Sequence, residues 1–209
     1  MPRSASQGDL VVLVADTMQE AVVRALLVDR RDSLRIRPVT FEMWRHPHRD
    51  PGVYQEAAHF LRPYRQTHDH ALVLLDAEWE GAPGAADALE ANIGEKLRRV
   101  GWADGTFLAL AIAPEIESWA WRSVATLAAV LDTHEAMVRG LAESAGWWRA
   151  GEAKPHRPKE LLEATLRAVG KPLSSSLYAR LAGQLSLRNC RDASFGRLSE
   201  ALQRWFPAS

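Results

Sequence analysis

Three short unbroken apolar runs, Asp9 to Ala15, Ala71 to Leu75 and Phe107 to Ala113, read as buried strands. A further strand is expected at Leu34 to Phe41, and Pro38 within it places it near a sheet edge. Between the runs the apolar period changes to that of a helix. Thr17-Met18-Gln19-Glu20 has the form of a capping box, with Thr17 as N-cap and Glu20 reaching back. The helix it opens carries Ala21, Val22, Ala25, Leu26 and Val28 on one stripe and ends near Arg30. Trp44 to Gly52, with two prolines and a glycine, is expected as a loop, and helices follow at Val53 to about Arg65 and Ala85 to Val100.

Strands alternating with helices of about ten or more residues imply right-handed βαβ units. The fold expected is α/β, a three-layer, mostly parallel four-stranded sheet. Beyond Glu117 the strands stop: Val124 to Leu131, His134 to Ala145, Lys159 to Val169, Ser174 to Leu185 and Ser194 to Phe206 all read as helices. Gly151 to Pro158, rich in proline and basic residues, is the expected junction. It divides an α/β core, residues 1–150, from a basic helical C-terminal extension, residues 151–209, packed on that core.

With 209 residues, 47% of them apolar, the chain can build one full core. Its net charge of zero argues against a purely electrostatic nucleic-acid binder. The zero hides an asymmetry: residues 151–209 hold ten Lys/Arg and five Asp/Glu, leaving 16 against 21 in residues 1–150. That division suits an acidic metal site beside a polyanion-facing surface, and equally a solvated helical face. Cys190 is the single cysteine, which excludes an internal disulfide and a paired-cysteine zinc site. No stretch reaches the roughly eighteen apolar residues of a membrane span, and no leader pattern is present, so a cytoplasmic protein is expected.

Candidate chemistry collects where the third and fourth strands end. Asp76-Ala77-Glu78-Trp79-Glu80 follows one, and Pro114-Glu115-Ile116-Glu117 the other. In parallel sheets ligands gather at the carboxyl ends of strands. If the strand continues, Asp76 and Glu78 point to the same side. Two such carboxylates repel unless a cation neutralises them, and Mg²⁺ prefers one or two carboxylates with water and phosphate. The pair therefore suits a Mg²⁺ or Mn²⁺ site for phosphate esters; solvated loop acids fit as well. Glu115 and Glu117 repeat the arrangement on the same edge, although Glu117 also suits the first turn of a helix. Asp16 is either a further ligand or an aid to helix entry. Lys154 and Lys159 are candidates for meeting a phosphate, with Arg157 nearby.

Other motifs are weaker. His46, His48 and Asp50 read as polar loop residues rather than a metal cluster. Trp119, Trp121, Trp147 and Trp148 suit packing more than base stacking. The absence of a nucleophile elbow and of a glycine-rich phosphate loop excludes serine hydrolase and Walker-type ATPase readings.

The order apolar strand–acid–helix, strand–Asp-x-acid, then strand–Pro-Glu-x-Glu-x-Trp resembles TOPRIM-like proteins over about residues 9–121. Lys154 to Glu160 and Lys171 to Tyr178 are similar to the small members of this group found in prokaryotic anti-phage gene clusters of the methylation-associated type. The resemblance implies a TOPRIM-like core and paired metal-binding acids at Asp76 and Glu78. It implies nucleic acid or other defence proteins as partners. TOPRIM enzymes also end their first strand in a glutamate, where this chain has Ala15-Asp16. Two functions follow: a Mg²⁺-dependent nuclease or phosphotransfer enzyme, or a catalytically silent adaptor docking onto other defence proteins. Oligomeric state is left open.

Overall fold

Four parallel strands form the sheet of this computed structural model, which describes residues 8–149, 151–184 and 192–208. Cys190 lies outside the described residues. The strands are β1 (Gly8–Val14), β2 (Phe41–Arg45), β3 (His68–Asp76) and β4 (Phe107–Ile112), in spatial order β2-β1-β3-β4. Alternation along each strand divides the apolar side chains between two faces. Val11, Leu13, Ala71, Val73, Leu75 and Ala111 pack against α3 (Arg49–Leu61) and α4 (Ala86–Arg99). Leu10, Val12, Val14, Leu72, Leu74, Leu110 and Ile112 pack on the other face with α1 (Thr17–Val28). The fold is thus the three-layer α/β arrangement expected, and every strand pair is parallel.

The helices after β4 belong to that second face. A 3₁₀ helix at Ile116–Arg122 leads into α5 (Val124–Val130) and α6 (Glu135–Ala145), after the four-residue α2 (Arg31–Leu34) earlier in the chain. Then come α7 (Pro158–Ala168), α8 (Ser175–Gln184) and α9 (Ala193–Trp205). Leu161, Leu162, Tyr178, Leu181, Phe195, Leu198 and Leu202 share one continuous core with the sheet. The C-terminal helices therefore complete the third layer of the sheet.

Two local expectations change. Leu34 to Phe41 is not a strand: Leu34 ends α2, Arg35 turns left-handed at φ 58°, and Ile36 makes only an isolated bridge to Pro207. The paired strand starts at Phe41, beyond Pro38, and takes in Trp44 and Arg45 from the expected loop. It is an edge strand, as proline-rich flanks favour. The N-cap of α1 is Asp16, not Thr17. The Asp16 carboxylate accepts Met18 N–H at 2.8 Å and Gln19 N–H at 2.9 Å, while Glu20 turns outward to pair with Arg24 and Arg45. A carboxylate satisfies two amides at once, which a threonine hydroxyl does less well.

The crossovers place the site. From β1 the chain moves to β2 with α1 on one face; from β2 it returns past β1 to β3 with α3 on the opposite face. The reversal opens a crevice beyond the carboxyl ends of β1 and β3, the place where open α/β sheets bind ligands.

Candidate metal centre

Asp76 is the last residue of β3, and Glu115 and Glu117 flank the start of the 3₁₀ helix after β4. Ile116 between them is buried in the core, and its N–H donates to Asp76 Oδ1 at 3.0 Å. This one backbone bond draws the two strand ends together. One ligand oxygen from each of Asp76, Glu115 and Glu117 lies within 4.8 Å of the others.

Each carboxylate is anchored by one oxygen. Asp76 Oδ1 also accepts from Gln19 Nε2 at 3.1 Å, Glu115 Oε1 accepts Lys159 N–H at 2.9 Å, and Glu117 Oε1 accepts the Tyr178 hydroxyl. The second oxygen of each has no protein donor among the described residues. For Glu117, 4% exposed, that oxygen is buried as well. A buried oxygen without a partner costs about 1–3 kcal/mol, more when charged, unless something outside the protein satisfies it.

Electrostatics lead to the same conclusion. Burial raises the Asp76 pKa well above the carboxylate range, and the charges of Asp50, Glu117, Asp16 and Glu115 add to the shift. Burial and Glu117 push Glu115 up to about 7, against the opposing Lys159 amide and charge. Burial also raises Glu117, although the Tyr178 hydrogen bond opposes it. Burial works against the Lys159 ammonium, yet Glu117, Glu115 and Asp76 outweigh it and hold that group charged. One lysine faces several acids, so the pocket calls for protons or a further cation. All the donors are hard carboxylate oxygens, and they fit Mg²⁺, Mn²⁺ or Ca²⁺ better than a soft metal.

The other residues expected from sequence are placed differently. Glu78 is exposed and outside the cluster, because β3 ends at Asp76. Ala77 N–H then bonds to Ile112 O and Pro114 O, and the chain leaves extended geometry before Glu78. Asp16 lies close enough to raise Asp76, but its Oδ1 is engaged in capping α1. Lys154 turns away: its Nζ meets Asp192 Oδ2 at 2.7 Å and Ala113 O at 3.1 Å, and Asp192 caps α9. His46 is buried with Nδ1 accepting His48 N–H at 3.2 Å and Nε2 at 3.3 Å from Glu56, a structural role. Trp119 and Trp121 are buried and hydrogen-bonded to Ser194 and Pro158 O.

Two residues of the pocket were not among the sequence candidates, and a third, Asp50, reads from sequence as a polar loop residue. Asp50 Oδ1 accepts Asp76 N–H at 2.8 Å, so the first turn of α3, which begins at Arg49 inside the expected loop, closes the pocket's far side. Gln19 is fully buried; its Oε1 accepts Ala15 N–H at 2.9 Å while its amide nitrogen reaches Asp76. Its signal was a polar residue on the helix face shared with Val22, Val23 and Leu26. Tyr178 comes from α8, 61 residues beyond Glu117, and local pattern does not register that contact.

Comparison with protein-family models, with curated proteins and with solved structures finds no match. Among the described residues no helix is long and apolar enough to cross a membrane.

Proposed function

We propose that Asp76, Glu115 and Glu117 bind a hard divalent cation, Mg²⁺ or Mn²⁺. On this reading the chain acts on phosphate esters as a TOPRIM-like nuclease or phosphotransfer component of anti-phage defence. The observation that carries the proposal is the division of labour within each carboxylate: one oxygen anchored by a protein donor, one left free, in three acids that converge. When bound, such an ion supplies Lewis-acid polarisation of a phosphoryl oxygen and a more acidic water. The protein's own groups do the rest. Lys159, exposed at the start of α7 and kept charged by the acids, is the group to meet a phosphate. Asp50 and Gln19 fix the Asp76 backbone and carboxylate from the β1–β2 side.

Calorimetric titration with Mg²⁺ and Mn²⁺ tests this directly. Millimolar or tighter binding is expected, abolished in Asp76→Ala, together with EDTA-sensitive cleavage of DNA or RNA lost in the same variant. Cleavage indifferent to EDTA would refute the metal role.

A second reading has its own support. Where TOPRIM enzymes end the first strand in a glutamate, β1 is followed by Ala15 and a capping Asp16, and the side chain offered to Asp76 is the neutral Gln19. That favours a catalytically silent module docking onto other defence proteins. Absence of any heat with either ion would select it.

A further inference from the structure

We infer that Tyr178 is a positioning residue for this cation site, a role that rests on the metal reading above. Tyr178 projects from α8, is 3% exposed, and donates its hydroxyl to Glu117 Oε1. Glu117 Oε2 is buried and has no partner among the described residues. A carboxylate held by nothing would rotate about its last bond to find a donor. One fixed oxygen sets the plane of the group and leaves the other as an acceptor with a defined direction.

The type of donor matters as much as its place. A lysine or arginine against Glu117 would orient it and also cancel its charge, removing the attraction for a cation. A phenol orients without neutralising. Gln19 does the same for Asp76: a neutral amide, fully buried, on Oδ1. The pocket is thus gripped from α1 and α8 by uncharged donors, and its negative charge stays available. The part of the third layer contributed by residues 151–209 would then set metal affinity without supplying a ligand.

The test is a Mn²⁺ titration, by calorimetry or by the loss of the free-ion paramagnetic resonance signal, on the full chain. Wild type is compared with Tyr178→Phe, with Tyr178→Leu as a second variant lacking the hydroxyl. Leu177→Ala, which loosens the same helix but removes no donor, serves as control. Both Tyr178 variants are expected to bind about 10- to 100-fold more weakly, the usual effect of removing a group that orients a ligand. Leu177→Ala should lower the melting temperature in EDTA and leave the Kd unchanged. Wild-type binding with an unaltered Kd in both Tyr178 variants overturns this inference alone. An equal loss in Leu177→Ala also overturns it, since general loosening would then suffice. A wild type that binds no Mn²⁺ overturns the cation site itself.

Discussion

Glu115→Gln should make the metal-free protein more stable, by an amount that grows as pH rises from about 4.5 and levels off above about 7. Folding lifts the Glu115 pKa from an ordinary 4.5 to about 7, through burial first and then the Glu117 charge. Between those two values the folded chain keeps a proton that the unfolded chain has released. Stability therefore falls as pH rises through that window, and is lowest above it. The displacement corresponds to at most about 3 kcal/mol at pH 8. Glu115 is partly exposed, so water screens it, and a gain of about 1–2 kcal/mol is the expected outcome. Glutamine keeps an oxygen that can accept Lys159 N–H, which limits the structural cost. The assay is urea unfolding in EDTA at about pH 8 and about pH 5, comparing midpoints at constant slope. The variant should be more stable at the higher pH, and the difference should shrink at the lower one. With Mg²⁺ at a hundred times its Kd the order should reverse, because wild type alone gains about 2.7 kcal/mol from binding. A variant no more stable than wild type at pH 8 in EDTA, or a gain independent of pH, would refute the claim of an unneutralised buried charge.

Two further substitutions separate structural from functional roles. Gly52→Ala should destabilise by about 1–3 kcal/mol, because a Cβ there would lie 2.0 Å from Nδ1 of the buried His46 ring, which has no room to retreat; thermal melting checks it. Lys154→Ala should cost about 0.5–1 kcal/mol through its half-exposed pair with Asp192 and leave Mn²⁺ affinity unchanged. A large loss of affinity there would return Lys154 to the metal centre.

What the sequence made legible follows from range. β1, β3 and β4 are buried on both faces, so their side chains form nearly continuous apolar runs that announce themselves. β2 is a half-exposed edge strand of five residues, and the apolar content around Leu34 and Ile36 belongs to packing outside the sheet. For the site, the rule that chemistry gathers at strand ends was enough to select Asp76, Glu115 and Glu117. It failed at Glu78 because the period of two holds only while the strand lasts. Gln19 and Tyr178 escaped because each is recognised by its partner, 57 and 61 residues away, and not by its neighbours.

Residues 151–209, packed on the core as expected, are also bound to the acidic site. Among the described residues five polar bonds tie the segment from Ala113 to Trp121 to the C-terminal part of the chain: Lys159 N–H to Glu115, Tyr178 to Glu117, Trp119 to Ser194, Trp121 to Pro158 O, and Lys154 to Ala113 O. Each comes from a different place along residues 154–194, and together they involve α7, α8 and α9. The same helices cover one face of the sheet, with Leu161, Tyr178, Phe195 and Leu198 buried against it. An appended domain would leave the sheet's own face sealed and the acidic loop self-supporting. Here neither holds, and two of the three acids take their anchoring donor from the C-terminal layer. A like-charged pocket of this kind opposes folding when empty, and the hydrophobic burial and donors of that layer are what offset its repulsion.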